Sequence, residues 1–254
     1  MKRKKQWILP VVTLAVLLGV WELAVDLLQV SSYVLPAPSA IAAAIVTDVS
    51  NLWMHSMVTL GEAVAGLLIA AVLAVLLAVA MDLSRVLYRC AFPILVATQT
   101  IPVLVLGPLF TIWFGFGMAP KVLMVVFMCF FPIAIGLTDA LRAVDEGHMN
   151  LLRSFGASRV RQYLWVKLPA AGTALLSGMK VAATYCMGGA IVGEWLSASA
   201  GLGYYMMRLK NGFQMEQVFA CVLAVMLWSL LLHLAVCLLE RLLFPYKYEK
   251  EWAE

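Results

Sequence analysis

Charge is scarce in this sequence. Asp, Glu, Lys and Arg make up 13% of its 254 residues, against about 25% in an ordinary soluble domain. Clustered chemistry is scarcer still. The five cysteines, Cys90, Cys129, Cys186, Cys221 and Cys237, stand far apart and form no CxxC. His55, His148 and His233 are equally scattered. These spacings argue against a disulfide framework and a metal centre. No GxxxxGK[ST] phosphate loop occurs anywhere, so the chain is not itself an ATPase. No set of acid, base and nucleophile gathers in one stretch, which argues against an enzyme. The net charge of +4 fits a membrane protein with one basic side better than a partner of nucleic acid.

What the chain does have is hydrocarbon. Hydrophobic residues account for 64% of it, too much for a single soluble core. Stretches of roughly 20 apolar residues each predict an all-α membrane protein. Six spans are expected, at about 7–29, 58–81, 91–114, 120–141, 171–193 and 216–240. They form a single transmembrane domain over 1–254, with no soluble domain between them. The basic opening "MKRKK" precedes an apolar stretch from Trp7 to about Val30. That is longer than a signal peptide's core, so it reads as an uncleaved first span.

Six spans put both termini on one side of the membrane. That side would carry Lys2, Arg3, Lys4, Lys5, Arg85, Arg89, Arg142, Arg153, Arg159, Arg161, Lys167, Arg241, Lys247 and Lys250. The other would carry only Lys121, Arg208 and Lys210. The bias makes the termini cytoplasmic.

Several residues break the hydrocarbon. The third span holds Gln99, Thr100, Pro102 and Pro108. A proline inside a helix removes a hydrogen bond, and in lipid the freed groups need cover from protein or a water-filled cavity. This stretch is read as a kinked helix lining a translocation path, or as a kink that serves packing alone. Ionisable groups inside spans are candidate sites. Glu22 is a candidate for a buried polar contact. Glu62 and Asp26 read as readily as interfacial groups near the outer headgroups, and Lys180 as a side chain reaching toward the cytoplasm. Ser39 is placed as the cap of a short surface helix after Pro36 and Pro38. Gly178, Ala182, Cys186 and Ala190 form a small stripe beside "GAIVG" (189–193), fit for intrachain packing or for a dimer face.

The stretch "RSFGASRVRQYLWVKLP" (153–169) is basic and helix-prone. Gly156 is expected to end one short helix in a left-handed turn, and Ser158 to cap the next. Val160, Tyr163 and Leu164 should share one face, with Arg159, Arg161 and Gln162 lying away from it. Pro169 should stop this helix before the fifth span. The result is a helix–turn–helix knob that fits a partner's groove or rests on anionic lipid.

These residues resemble a family. Permease subunits of bacterial binding-protein-dependent ABC importers carry a signature of Glu-Ala-Ala, three residues, Gly, nine residues, Ile, one residue, Leu-Pro. Here Gly156 is followed by nine residues, then Val166, Lys167, Leu168 and Pro169. The opening departs, with Asn150-Leu151-Leu152 in place of Glu-Ala-Ala. "PLFTIWFGFG" (108–117), "AIVGEWLSASAGLGYYM" (190–206) and "LLERLLFPY" (238–246) look like the nitrate, sulfonate and taurine branch.

The resemblance implies a type I importer permease fold with a cytoplasmic coupling helix in the loop 142–170. It implies a homodimer in the bacterial inner membrane, two ABC ATPase subunits beneath it and a periplasmic substrate-binding protein above. ATP and Mg would be bound by the ATPase, leaving no cofactor in this chain. Coupling would fall to Asn150, Arg153, Gly156, Ala157, Ser158, Arg159, Arg161, Leu168 and Pro169. Glu194, Gly201 and Gly203, with the 197–213 loop, would sit at the outer mouth. "NLLRSFGASR" looks most like the subgroup that imports hydroxymethylpyrimidine-type thiamine precursors or riboflavin. Nitrate, sulfonate or taurine is the alternative substrate. A secondary transporter would need charged coupling sites near the midplane and usually an internal repeat, and neither is evident.

Overall fold

A computed structural model describes residues 2–245. The side chains of residues 2–7, Glu146, His148, Arg159 and Ser197 lie outside that description, as do Lys247 and Lys250. The described residues form eleven α-helices and one π-helical turn: α1 Lys2–Leu27, α2 Pro38–Thr47, α3 Val49–Leu83, α4 Arg85–Thr98, α5 Val103–Phe114, α6 Met118–Arg142, α7 Glu146–Ser154, α8 Arg159–Gln162, the π turn Tyr163–Lys167, α9 Leu168–Ser197, α10 Leu202–Asn211 and α11 Met215–Leu243.

The core is three helices. α6 and α9 run antiparallel at close range, because small residues meet there. A Cβ on Gly178 would lie 3.0 Å from the Cα of Ile133, one on Gly189 3.0 Å from the Cα of Val125, and one on Gly193 2.8 Å from the Cα of Lys121. Ala182, Cys186 and Ala190 are fully buried along the same line. The small stripe is therefore intrachain packing, since lipid offers no hydrophobic drive and close van der Waals contact must hold the helices. α3 lies parallel to α6, with Gly66 set against Val125. The outer faces of α1 and α11 carry exposed Leu, Val and Met, as lipid-facing spans do.

Five helices are long and apolar enough to cross a membrane, and the bent pair α4–α5 makes a sixth. The single kinked helix expected over 91–114 is instead two helices meeting at 102°. The break falls at Gln99–Pro102, not at Pro93 or Pro108, which sit inside helices. Pro102 cannot donate to a continuing ladder and pushes Ile101 away from helical angles. α5 has 12 residues, about 18 Å, too short to span alone. α3 has 35 residues, about 52 Å, and reaches well past a 30 Å hydrocarbon core at its ends.

Three smaller expectations are corrected. Pro169 does not stop a helix: α8, the π turn and α9 run on continuously, and the Leu168 N–H bonds to the Tyr163 carbonyl. The widened turn makes room for a ring that would clash with the carbonyl of Trp165. Ser39 is not the cap of α2, which starts after Ala37. Its N–H and hydroxyl donate instead to the Glu22 carboxylate, at 3.0 and 2.5 Å. Glu22 thus supplies the acceptor that the first turn of α2 needs, and ties α1 to α2. Lys180 pairs with fully buried Glu240 of α11 rather than reaching for the interface.

Candidate functional site

The 142–170 loop is built by two caps. Asp145 opens α7, its carboxylate accepting from Gly147 N–H at 2.9 Å. α7 closes at Gly156, whose φ of 72° lies in the left-handed region. The Gly156 N–H reaches the Arg153 carbonyl at 2.9 Å, and the Ala157 N–H reaches Leu152 at 3.0 Å. This is a Schellman closure, which satisfies the last carbonyls of the helix. Ser158 Oγ then accepts from Arg161 N–H at 3.4 Å and starts α8.

Arg153, Gly156, Ala157, Ser158 and Arg161 therefore share one tight turn. Asn150 sits one helical turn earlier, its side-chain oxygen accepting from Arg153 at 3.0 Å. Leu168 and Pro169 follow the π turn. Arg159 begins α8, and its side chain is outside the described residues. Lys167 is drawn inward, its ammonium on both carboxylate oxygens of Asp82 at 2.7 and 2.6 Å. This ion pair fastens the loop to the end of α3.

Val160 and Leu164 of the expected apolar face lie outside and Tyr163 is half-buried; of the expected polar face Arg161 is exposed and Gln162 is not. Gln162 is buried, and its amide donates to the Ala157 carbonyl at 2.8 Å. Val160 and Leu164 point outward, 66% and 54% exposed, with Phe155 (80%) and Trp165 (64%) beside them. Periodicity identified an apolar face, but the tie at Lys167 and the packing of Gln162 turned it away from the bundle. An exposed apolar patch rimmed by arginine marks a docking surface.

At the opposite end of the bundle lies a buried polar cluster. Glu62 on α3 pairs with Lys121 on α6 at 2.5 Å, their side chains 3% and 8% exposed. Beside them Glu194, at the end of α9, is 2% exposed. The Thr59 hydroxyl donates to Glu194 at 2.6 Å and accepts from Leu202 N–H at 2.7 Å. The Gly203 N–H donates to the other Glu194 oxygen, and the Gly201 N–H to His55 Nδ1 at 3.1 Å. Three N–H groups at the start of α10, which no helix can satisfy internally, are thus met by side chains of α3 and α9.

Gly201 has a φ of 109°, and a Cβ there would fall 2.1 Å from Glu194 Oε1. At Gly203 a Cβ would fall 2.8 Å from the Ile191 carbonyl. His55 stacks on Tyr205 at 4.5 Å, and the Tyr205 hydroxyl bonds Asp48. Burial and that carboxylate push the phenol up to about 12. A cleft of about 430 Å³ opens beside the cluster, bordered by Lys121, Glu194, Trp195 and Tyr204.

Glu194, Gly201 and Gly203 are therefore brought together, in a helix-capping contact rather than in an open loop. His55, Thr59 and Lys121 were not singled out. Glu62 and Lys121 carried a signal, opposite charges at the ends of two spans, but the helix pairing that joins them is not local. Gln99, Thr100 and Pro102 meet at the α4–α5 break, all exposed on this chain, and Pro108 lies apart inside α5. Gln99 borders a shallow cleft of about 260 Å³ against Phe127, Met128 and Tyr185. Among the described residues no group of three or more His, Cys, Asp or Glu could hold a metal ion.

Residues 66–245 match the family of binding-protein-dependent transport system inner membrane components. The chain belongs to that family. It is 36% identical over 227 residues to a probable ABC transporter permease of Haemophilus influenzae, covering 89% of this chain and 93% of the relative. It is 32% identical over 248 residues to the formylaminopyrimidine transport permease ThiX of Halalkalibacterium halodurans, covering 97% and 99%. A crystal structure described as an amino acid ABC transporter with histidines superposes with a TM-score of 0.63 at 17% identity, over 78% of this chain and 96% of that one. The fold is the type I importer permease fold. This permease is the inner-membrane, multi-pass subunit of an ATP-driven importer. It works with an ATPase, which carries the hydrolysis on a separate subunit, and with a substrate-binding protein. A secondary transporter is thereby set aside.

Proposed function

We propose that two copies of this permease form the path for a pyrimidine precursor of thiamine. The substrate reading rests on 32% identity along 97% of the chain to a formylaminopyrimidine permease; riboflavin is the second reading, with the same identity along 93% of the chain to a riboflavin permease. Two ATPase subunits bind at the cytoplasmic face, which is also the face of both termini, as the basic residues argue. ATP and Mg stay with the ATPase. The coupling residues are Asn150, Arg153, Gly156, Ala157, Ser158, Arg159, Arg161, Leu168 and Pro169.

Support for that assignment comes from the outward Phe155, Val160, Leu164 and Trp165, an apolar surface suited to a groove in the ATPase. Gln99, Thr100 and Pro102 line the path where the third span breaks, and Pro108 lines it from within α5. Glu194, Gly201 and Gly203 shape its outer mouth, opposite the binding protein.

Uptake by the reconstituted transporter tests the substrate. Labelled formylaminopyrimidine should accumulate in an ATP-dependent way, with the cognate binding protein present. Riboflavin, taurine and nitrate should not. Uptake of taurine with no uptake of the pyrimidine would move this chain to the sulfonate branch. Cysteines placed across 98–108 in a cysteine-free background should react with small water-soluble thiol reagents, and the pattern should change with trapped nucleotide.

A further inference from the structure

The cleft of about 260 Å³ at the break of the third span has three walls. Gln99 and Val103 come from the α4–α5 break, Phe127 and Phe131 from the middle of α6, and Tyr185 from α9. Phe127 and Phe131 are four residues apart and so share one face of their helix. Their rings meet edge to face, 4.9 Å between centroids. The cleft lies at mid-span, clear of the outward surface of the 142–170 loop.

Gln99 and Tyr185 bring polar groups to this apolar surface. Gln99 is exposed on this chain, and Tyr185 is 51% exposed. The Gln99 carboxamide and the Tyr185 hydroxyl make no hydrogen bond among the described residues. Against lipid tails an amide at this depth would have no partner, at a high cost in free energy. The cleft is therefore built to face something that can hydrogen-bond, and polar groups inside a membrane bundle mark solute paths.

Charge narrows the choice. None of the lining residues is Asp, Glu, Lys, Arg or His. Nitrate or a sulfonate resting here would give up water without gaining a counter-charge, which is costly. A neutral heteroaromatic ring gives up little. Its faces pack on aromatic side chains, and its edge exchanges hydrogen bonds with a carboxamide, which both donates and accepts. A mostly apolar lining with a few polar groups is the usual make-up of a small-molecule site. We propose that this cleft is a transient subsite for a neutral heteroaromatic ring on its way through the permease. Phe127, Phe131 and Tyr185 pack against the ring, and the Gln99 carboxamide and Tyr185 hydroxyl bond its edge. The subsite rests on the reading of this chain as a pyrimidine permease, and adds to it a step of selection inside the membrane.

The test uses the complete transporter in nanodiscs, cysteine-free except for Val103→Cys. Formylaminopyrimidine should slow the labelling of that cysteine by a small water-soluble thiol reagent, and taurine and nitrate should not. In import assays Gln99→Leu should lower pyrimidine uptake roughly fivefold to tenfold, the worth of one neutral hydrogen bond. Hydrolysis stimulated by the loaded binding protein should stay at the wild-type rate, whereas a merely structural role for Gln99 would lower both together and overturn the proposal. Tyr185→Phe removes one hydroxyl, should show the same split to a smaller degree, and carries the test should Gln99→Leu fail to assemble. Full uptake by both variants, with no protection of Val103→Cys, would sink the subsite and leave the substrate reading standing. Uptake of taurine and not of the pyrimidine by the unaltered transporter would sink the substrate reading, and the subsite with it. A cysteine at 103 that the reagent reaches in no state would mean that the second copy seals the cleft, which also overturns the proposal.

Discussion

The two ends of this permease solve opposite problems. Around α10, residues 202–211, buried side chains of α3 and α9 meet the helix's open N–H groups, and the buried Lys121 is matched by a carboxylate. Around 142–170, polar groups are spent locally on caps, and large apolar side chains face out. The first end is finished within one chain. The second is left with apolar surface that a partner must cover. Polar atoms sealed in a membrane bundle have no other way to be satisfied, whereas a coupling surface has to stay free until the ATPase arrives.

Substitutions can break this contrast, and the largest effect belongs to the buried pair. Lys121→Met leaves Glu62 charged, buried and unmatched, a loss of about 3–5 kcal/mol. Denaturation of the purified permease should show it, and Lys121→Met with Glu62→Leu should recover most of it. A destabilisation no smaller in the double variant would mean that the pair is not what holds α3 to α6.

Next comes Thr59→Val, which strips a donor from Glu194 and an acceptor from the Leu202 N–H. A cost of about 1–3 kcal/mol is expected, read as faster proteolysis within 198–211 while ATPase retention stays unchanged.

At the other end the signs reverse. Gly156→Val meets no atom within 4 Å, so only backbone strain of about 1–2 kcal/mol opposes it. The permease should still insert at normal levels yet lose transport and retain less ATPase on purification. Full retention and full stimulated hydrolysis would count against the coupling assignment.

The smallest change is expected for Arg161→Glu, an exposed side chain. ATPase association should weaken at low ionic strength, and the difference from wild type should shrink in salt, which screens exposed charges beyond about 8–10 Å. An equal effect at all salt concentrations would point to lost packing against Trp165 instead.

Much of the loop was legible because its signals are local. A glycine that must turn left and a serine three residues before the N–H it caps act within a few residues. The apolar face of α8 was also visible, but its direction was not. Which way Val160 and Leu164 point depends on Lys167 meeting Asp82, 85 positions away. The same distance effect hid the α10 cluster. Glu194 and Gly201 lie in one short stretch, yet Thr59 and His55, which complete the cap, come from a helix about 140 positions earlier.

By itself the sequence determined the all-helical membrane class, the Gly156 turn and the importer-permease signature. Those follow from hydrocarbon length, from scarcity of charge and from backbone limits, each a property of neighbouring residues. Only the tertiary structure decided that Glu62 and Lys180 are paired, that the small stripe closes α6 on α9 and that the third span breaks by 102°. In a bundle surrounded by lipid, such pairings are fixed by which helices lie side by side, and that is a choice made between helices, not along them.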